Sequence, residues 1–169
     1  MAVSRFITIL LLFHQISSSI QQSDQLDQFT SPNDRAEIPS RDGWLYFAKT
    51  ASWYKAIDQE MEFDKAEEYC VEQMGHLVSI HSQEENDLVQ KLAKTVHSHS
   101  LFSIGMKRNP NNENSLEWID GSSVDFTNWI GGKPKLETHA MLWGGDGRWS
   151  VFFPWGLSVP FICKRSSEF

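Results

Sequence analysis

The residue types that could do chemistry are few and widely spaced. His97-Ser-His99 offers two imidazoles close together. A zinc-type site takes three or four ligands at matched spacing, and no third ligand accompanies this pair, which reads as a polar stretch after a helix end. Ser, His and Asp occur in number, but no Gly-x-Ser-x-Gly turn presents a hydroxyl as a nucleophile. Neither a phosphate-cradling Gly loop nor an Asn-x-Ser/Thr glycosylation acceptor is present. Without an acid–base or nucleophile constellation, no catalytic residue, metal or cofactor is assigned and no enzyme is expected. The stretch from Ile130 to Gly156 is more suggestive, because it combines Lys133, Lys135, Trp143, Arg148 and Trp155 with several glycines. Exposed Trp and Arg are favoured at binding hot spots, and loops on a rigid scaffold carry function. These five residues are the candidate ligand-binding set; the alternative is that Trp143 and Trp155 fill core space.

Length and composition limit what can hold such a loop. A chain of 169 residues has room for one domain of ordinary size plus some unstructured chain. Hydrophobic residues at 40% and charged residues at 22% describe a globular chain, neither disordered nor fibrous. Seven Trp and eleven Phe against three Tyr point to a compact aromatic core, a sticky surface, or both. The net charge of -7 argues against a nucleic-acid partner, which needs a cationic face, and against electrostatic attachment to anionic lipid.

The N-terminus carries Arg5 and then the apolar run Phe6 to Phe13, followed by Ser17-Ser18-Ser19. That order fits a signal peptide over residues 1–19, and so a secreted protein. The run is less than half of the roughly 20 apolar residues that a membrane span requires, so no span is expected. Residues 20–42 are polar, Gln-rich and punctuated by Pro, and read as a flexible linker.

Folded chain is expected over residues 43–165, with a tail at 166–169. Trp44 to Phe47 and Ala51 to Tyr54 have strand character. Asp64 to Gly75 places Ala66, Tyr69, Cys70, Gln73 and Met74 at three- and four-residue spacing, which predicts an amphipathic helix stopped by Gly75. His76 to Ile80 reads as a strand. Ser82-Gln-Glu-Glu85 is a capping box that opens a second helix with Leu88, Val89, Leu92 and Val96 on one face. Short strands and Gly, Asn and Pro loops fill the remainder to Lys164. Two helices early and antiparallel strands with a long loop region late give an α+β fold.

The order of local motifs resembles the C-type lectin-like domain from Gly43 to Lys164. The motifs are Asp64-Lys-Ala-Glu-Glu-Tyr-Cys70, Gly75-His-Leu-Val-Ser-Ile-His-Ser-Gln-Glu-Glu85, Phe102-Ser-Ile-Gly-Met106, Glu117-Trp-Ile-Asp-Gly121, Phe126-Thr-Asn-Trp-Ile-Gly-Gly-Lys-Pro134, and the closing Gly147-Arg-Trp149 and Val159-Pro-Phe-Ile-Cys-Lys164. Each is weak alone; together and in order they are specific. Within them, Asp120-Gly121 suits a tight turn between strands, and Trp44, Trp118, Trp129 and Trp149 are expected in the core. Two cysteines allow one intramolecular bridge or two free thiols. The resemblance implies the bridge, Cys70 to Cys163, which closes a loop of roughly 90 residues, worth about 4 to 5 kcal/mol on the chain-entropy model.

Departures from the family pattern matter as much. The second disulfide of most members is missing: its positions are expected at His139 and near Phe152-Phe-Pro154. Burial of Phe152 or Phe153, at about 1.5 to 3 kcal/mol each, would offset much of that loss. Sugar-binding members hold Ca²⁺ through a Glu-Pro-Asn or Gln-Pro-Asp triplet and an Asn-Asp pair, since the ion takes six to eight oxygens. Here the triplet is Lys133-Pro134-Lys135 and the pair is Ser150-Val151, with Glu137, Asp125 and Asp146 scattered nearby. The resemblance therefore implies a secreted, calcium-independent recognition module for an extracellular protein or a glycan. Two other readings stay open: a structural or interaction subunit that forms a homo- or hetero-dimer, and a calcium-dependent carbohydrate-binding lectin.

Overall fold

Strands β1 (Glu37–Pro39), β2 (Leu45–Phe47) and β3 (Ser52–Met61) lead into helix α1 (Phe63–Glu72), strand β4 (His76–Leu77) and helix α2 (Gln83–Val96). After them come β5 (Leu101–Asn109), β6 (Asn112–Trp118), β7 (His139–Trp143), β8 (Trp149–Phe152) and β9 (Val159–Ser166). The computed structural model describes residues 37–39, 42–132, 139–152 and 156–167. The expected leader at 1–19, most of the linker, the Lys133-Pro134-Lys135 triplet, Glu137, Phe153, Trp155 and the last two residues of the tail lie outside them. Three residues of the stretch read as a linker, Glu37–Pro39, form β1.

Among the described residues the strands form one sheet in the order β1-β2-β3-β9-β5-β7-β8, with β4 on β9 and β6 on β5. The fold is α+β, as expected, but the sheet is mixed: β5 and β9 run parallel, Ser103 beside Phe161. A parallel pair needs a long crossover, and here the chain supplies one through β6, β7 and β8. The two ends of the domain meet in the long antiparallel pair β3–β9, from Ser52 opposite Ser166 to Met61 opposite Val159. Ser52, Tyr54 and Ile57 of β3 are buried.

Helix α1 turns Phe63, Ala66 and Cys70 inward. Cys70 is bonded to Cys163 on β9, with the two Cα atoms 5.5 Å apart. Around this bridge sit Trp44, Ile57, Leu77 and Phe161. The end of α1 departs from expectation. Met74, not Gly75, takes the left-handed conformation, at φ 61°. The Gly75 N–H donates to Cys70 O and the Met74 N–H to Val71 O, a Schellman cap with a non-glycine in the left-handed position. Glycine is needed one residue later for a different reason: a Cβ on Gly75 would fall 2.3 Å from the Lys164 carbonyl. Met74 is consequently 64% exposed and does not join the inward face of the helix.

The strand expected at His76 to Ile80 shrinks to two residues because Val78 is shared between neighbours. Its N–H donates to Ile162 O of β9, while its carbonyl accepts from Gly105 N–H of β5. Gly105 permits that approach, since a Cβ there would lie 2.4 Å from the Leu77 carbonyl.

At the start of α2, Ser82 accepts the Glu85 N–H, as a capping box requires. The return half differs. Glu85 reaches past Ser82 to accept from the His81 N–H at 2.7 Å, from Lys164 Nζ at 2.7 Å and from the Tyr54 hydroxyl. Its side chain is fully buried, and of its three donors only the His81 N–H lies at the start of its own helix. Burial, then the adjacent Glu85 charge, pushes the Tyr54 hydroxyl well above its ordinary pKa, so Tyr54 acts purely as a donor to that carboxylate.

The α1 terminus gives two substitutions of opposite sign. Met74→Gly relieves the left-handed strain and stabilises the domain by about 1 kcal/mol. Gly75→Ala forces α1 away from β9 and destabilises it. Urea unfolding midpoints of both variants against the parent chain measure the two directions.

Candidate functional site

The loops that carry the candidate residues are organised on Trp149, the first residue of β8. Its side chain is fully buried, and its indole N–H donates to Asn86 Oδ1 of α2 at 2.7 Å. Trp118, Phe126 and Trp129 meet its ring at centroid distances of 5.6, 5.7 and 5.5 Å, each close to perpendicular. That edge-to-face geometry places positive ring edges against negative ring faces. Its backbone joins the set: the Trp149 N–H donates to Asn128 O, and the Ile130 N–H donates to Trp149 O. Asn86 Nδ2 and Asn128 Nδ2 both donate to Gly147 O. The segment 126–130, the 144–148 turn and α2 are thereby held as one body. Trp44, Trp118 and Trp149 are buried as expected, but Trp129 is only half-buried.

The described acids of these loops already have partners. Asp120-Gly121 does form a turn, with Gly121 at φ 77°. It leads from β6 into an irregular segment, where a turn joining two strands was expected. Asp120 accepts from the Ser79 and Ser122 hydroxyls and from the Ser122 N–H. Burial alone would raise its pKa, but these bonds and the Lys164 charge outweigh it and hold the carboxyl below the ordinary range. Asp125 pairs with His81 Nδ1 at 2.8 Å, and that bond lowers its pKa. Asp146 Oδ2 is gripped by Arg148 Nε at 2.7 Å and Nη2 at 2.6 Å, which lowers its pKa as well.

One grouping was not legible in the sequence. Ser122 Oγ lies 3.2 Å from His81 Nε2, and His81 Nδ1 meets Asp125, which is the order of a nucleophilic triad. His81 lies just before α2, 41 residues from Ser122 and 44 from Asp125, so no local motif announces them. The chemistry does not follow the order. Ser122 gives its hydroxyl proton to Asp120, so it presents a lone pair to His81 in place of a proton for His81 to remove. The group works as a clasp between the 120–125 loop and the start of α2.

Of the five candidate binding residues, the structure describes two. Trp143 is half-buried, its indole lying against the Gly145 backbone, where a Cβ would fall 2.4 Å from Nε1. Arg148 is exposed and held by Asp146. The Trp143 N–H donates to Arg148 O, so the two flank one hairpin turn. Lys133, Lys135 and Trp155 lie outside the described residues. His97 pairs with Asp58 at 2.9 Å, and no cluster of three or more His, Cys, Asp or Glu residues suited to a metal occurs among the described residues.

The family model of the lectin C-type domain matches residues 59–165. The chain belongs to the C-type lectin domain family. A relative called C-type lectin 9a, from Crotalus adamanteus, is 32% identical over 142 residues, covering 79% of this chain and 85% of that one. Snaclec stejaggregin-A subunit alpha, from Trimeresurus stejnegeri, is 30% identical over 141 residues, 76% of this chain and 83% of the relative. Among solved structures, the cow C-type carbohydrate-recognition domain of CD23 superposes with a TM-score of 0.64 at 27% identity, covering 77% of this chain and 98% of that one. The domain is a binding fold, generally without catalysis.

Two departures from the C-type lectin pattern acquire a geometry. Ser150 and Val151 lie within β8, opposite Met141 and Ala140 of β7. His139 stands directly across from Phe152 in the same pair, at the positions read as those of the missing second bridge. The His139 imidazole stacks on Phe63 of α1, with centroids 3.9 Å apart and planes 21° from parallel. Burial, helped by Lys107 and opposed by Asp64, lowers its pKa, so the ring stays neutral against the phenyl. The stack ties β7 to α1, a different pair of elements from the β7–β8 pair that the missing bridge would join.

A histidine held neutral contributes stability that is complete above its unfolded pKa, near 6.5. That contribution is lost as pH falls from there through the depressed folded value. Urea unfolding from neutral to mildly acid pH is expected to show a loss of stability in the parent chain that is smaller in His139→Phe. Equal pH dependence in the two would contradict the stacked, neutral imidazole.

Proposed function

We propose that this chain is a secreted, calcium-independent recognition module that binds an extracellular protein or a glycan. The observation that carries the reading is the occupancy of the loop acids. Asp120, Asp125 and Asp146 are each committed to protein donors or cations, so a Ca²⁺ ion would have to displace three sets of partners to gather oxygens. Val151 and the two lysines of the 133–135 triplet, which bring no carboxylate, support the same conclusion. The loop residues Lys133, Lys135, Trp143, Arg148 and Trp155 are proposed as contacts for the ligand. Secretion is supported by the leader-like residues 1–19, ahead of a linker to residue 42 and a domain over 43–165, and by the Cys70–Cys163 bridge, which suits an oxidising compartment. No helix among the described residues is long and apolar enough to cross a membrane.

A second reading, an interaction subunit of an extracellular assembly, is favoured by the word subunit in a relative's name and by the exposed apolar side chains of Val124, Ile130 and Leu157. Sedimentation velocity separates the two: concentration-dependent dimers lost in Trp143→Ala support the subunit, and a monomer supports the free-standing module. For the first reading, glycan-array and pull-down binding should give the same ligands in EDTA as in calcium. Sugar binding abolished by EDTA contradicts calcium independence.

A further inference from the structure

Both ring nitrogens of His81 face hydrogen-bond acceptors. Ser122 Oγ lies 2.5 Å from Asp120 Oδ1. Against its burial, the Ser122 and Ser79 donors keep Asp120 below the ordinary carboxylate range, so the single hydroxyl proton of Ser122 sits between those two oxygens. Ser122 Oγ is left with a lone pair for His81 Nε2, 3.2 Å away, and Nε2 must bring a hydrogen. Across the ring, Nδ1 lies 2.8 Å from Asp125 Oδ1, and an ionised carboxylate only accepts. Nδ1 must bring a hydrogen too. A neutral imidazole has one N–H and an imidazolium has two, so only the imidazolium satisfies all three contacts.

The surroundings fix both ends of the contact. The His81 N–H donates to Glu85 Oε2 of α2 at 2.7 Å, and Glu85 is matched by Lys164 of β9. Lys164 also donates to Ser79 O, and the Ser79 hydroxyl donates to Asp120 Oδ2. From β6, Trp118 presents an uncharged ring, its centroid 6.1 Å from the imidazole. Among the described residues, the charged groups facing His81 are therefore Asp125 and Asp120 of the loop and the already paired Glu85 of α2. Asp120 is anchored through Ser79, and Phe126 packs on the Trp149 ring. Between those anchors, residues 121–125 meet the start of α2 at His81. Its side chain is 26% exposed, so its protons reach solvent.

We propose that His81 is a pH-operated clasp: as the imidazolium it ties residues 121–125 to the start of α2, and loss of one ring proton loosens them. One N–H then serves two acceptors. The bond to the Asp125 carboxylate, shorter and charge-assisted, is kept, and bare Nε2 faces the Ser122 lone pair. Ser122 either parts from the ring or turns its proton to Nε2 and leaves Asp120, and the loop loses one link in both cases. The Asp125 carboxylate is 56% exposed, so screening keeps its ion pair modest. The change is local, and the domain stays folded. The clasp is independent of what the loops recognise.

NMR of the full, disulfide-bonded chain tests it across about pH 5 to 8, the interval in which histidines ordinarily change charge. Long-range ¹H–¹⁵N spectra count the protons on the His81 ring, and amide exchange of Ser122, whose N–H donates to Asp120 Oδ1 at 2.9 Å, reads the loop. Two ring protons with a protected Ser122 amide are expected at the acid end. At the alkaline end, one ring proton should accompany about a fivefold fall in protection, corrected for intrinsic exchange, as the loss of one net hydrogen bond implies. In His81→Gln the fall should vanish. Asp125→Asn should also keep Ser122 protected at the alkaline end, because its amide can donate to bare Nδ1 while Nε2–H serves Ser122. A ring with one proton while Ser122 is protected at the acid end overturns the proposal. So does protection that is the same at both ends, or a fall that persists in either variant. If a variant fails to fold, the ring count and the Ser122 amide of the parent chain decide.

Discussion

Trp149 donates its indole N–H to Asn86 from a fully buried position, while three aromatic rings meet its own ring edge-on at 5.5 to 5.7 Å. Leaving a buried donor without its partner costs about 1 to 3 kcal/mol, and each well-placed aromatic pair adds about 0.5 to 1.5 kcal/mol beyond burial. Asn86 is committed on its other side to Gly147 O, so it cannot turn to another acceptor without breaking the hairpin turn. The backbone of segment 126–130 is bonded to Trp149 on both sides. The described segments 126–130 and 144–148 therefore take their positions from Trp149, through its ring, its indole N–H and its backbone.

The first turn of α2 is where that loop body meets the frame. Asn86 faces the Trp149 cluster, and its neighbour Glu85 faces the β3–β9 pair through Tyr54 and Lys164. A buried carboxylate is tolerable only when its partners are complete, and Glu85 has three donors. Lys164 follows Cys163 directly, so the ion pair and the disulfide hold adjacent residues of β9. The described loop segments are thus joined through α2 to the part of β9 that carries the disulfide. The same logic explains the His139–Phe63 stack, which fastens the far end of β7 to α1.

Much of the frame is legible in the sequence. The Ser82 cap, the inward Cys70 and the apolar face of α2 follow from local spacing, and the motif order pointed to the right family. What failed were features decided by distant residues. Met74 took the left-handed position because Gly75 was required where the Lys164 carbonyl passes. Glu85 left its capping box because Tyr54 and Lys164, 31 and 79 residues away, offered better partners. The strand at His76 broke after two residues because Val78 bonds two different neighbours. At the site, Trp143 and Arg148 are candidate contacts by residue type alone, whereas the Trp129–Trp149 contact and the His81, Ser122 and Asp125 group join residues far apart in the chain. No motif spans that distance in sequence.

The central claim is that the loop body is held by its own side chains and needs no metal ion. Amide hydrogen exchange at Ile130 and Trp149 reads this directly, since those two N–H groups close the bonds between segment 126–130 and β8. The account predicts strong protection of both in EDTA, unchanged by millimolar calcium. Protection that appears only when calcium is added would contradict it.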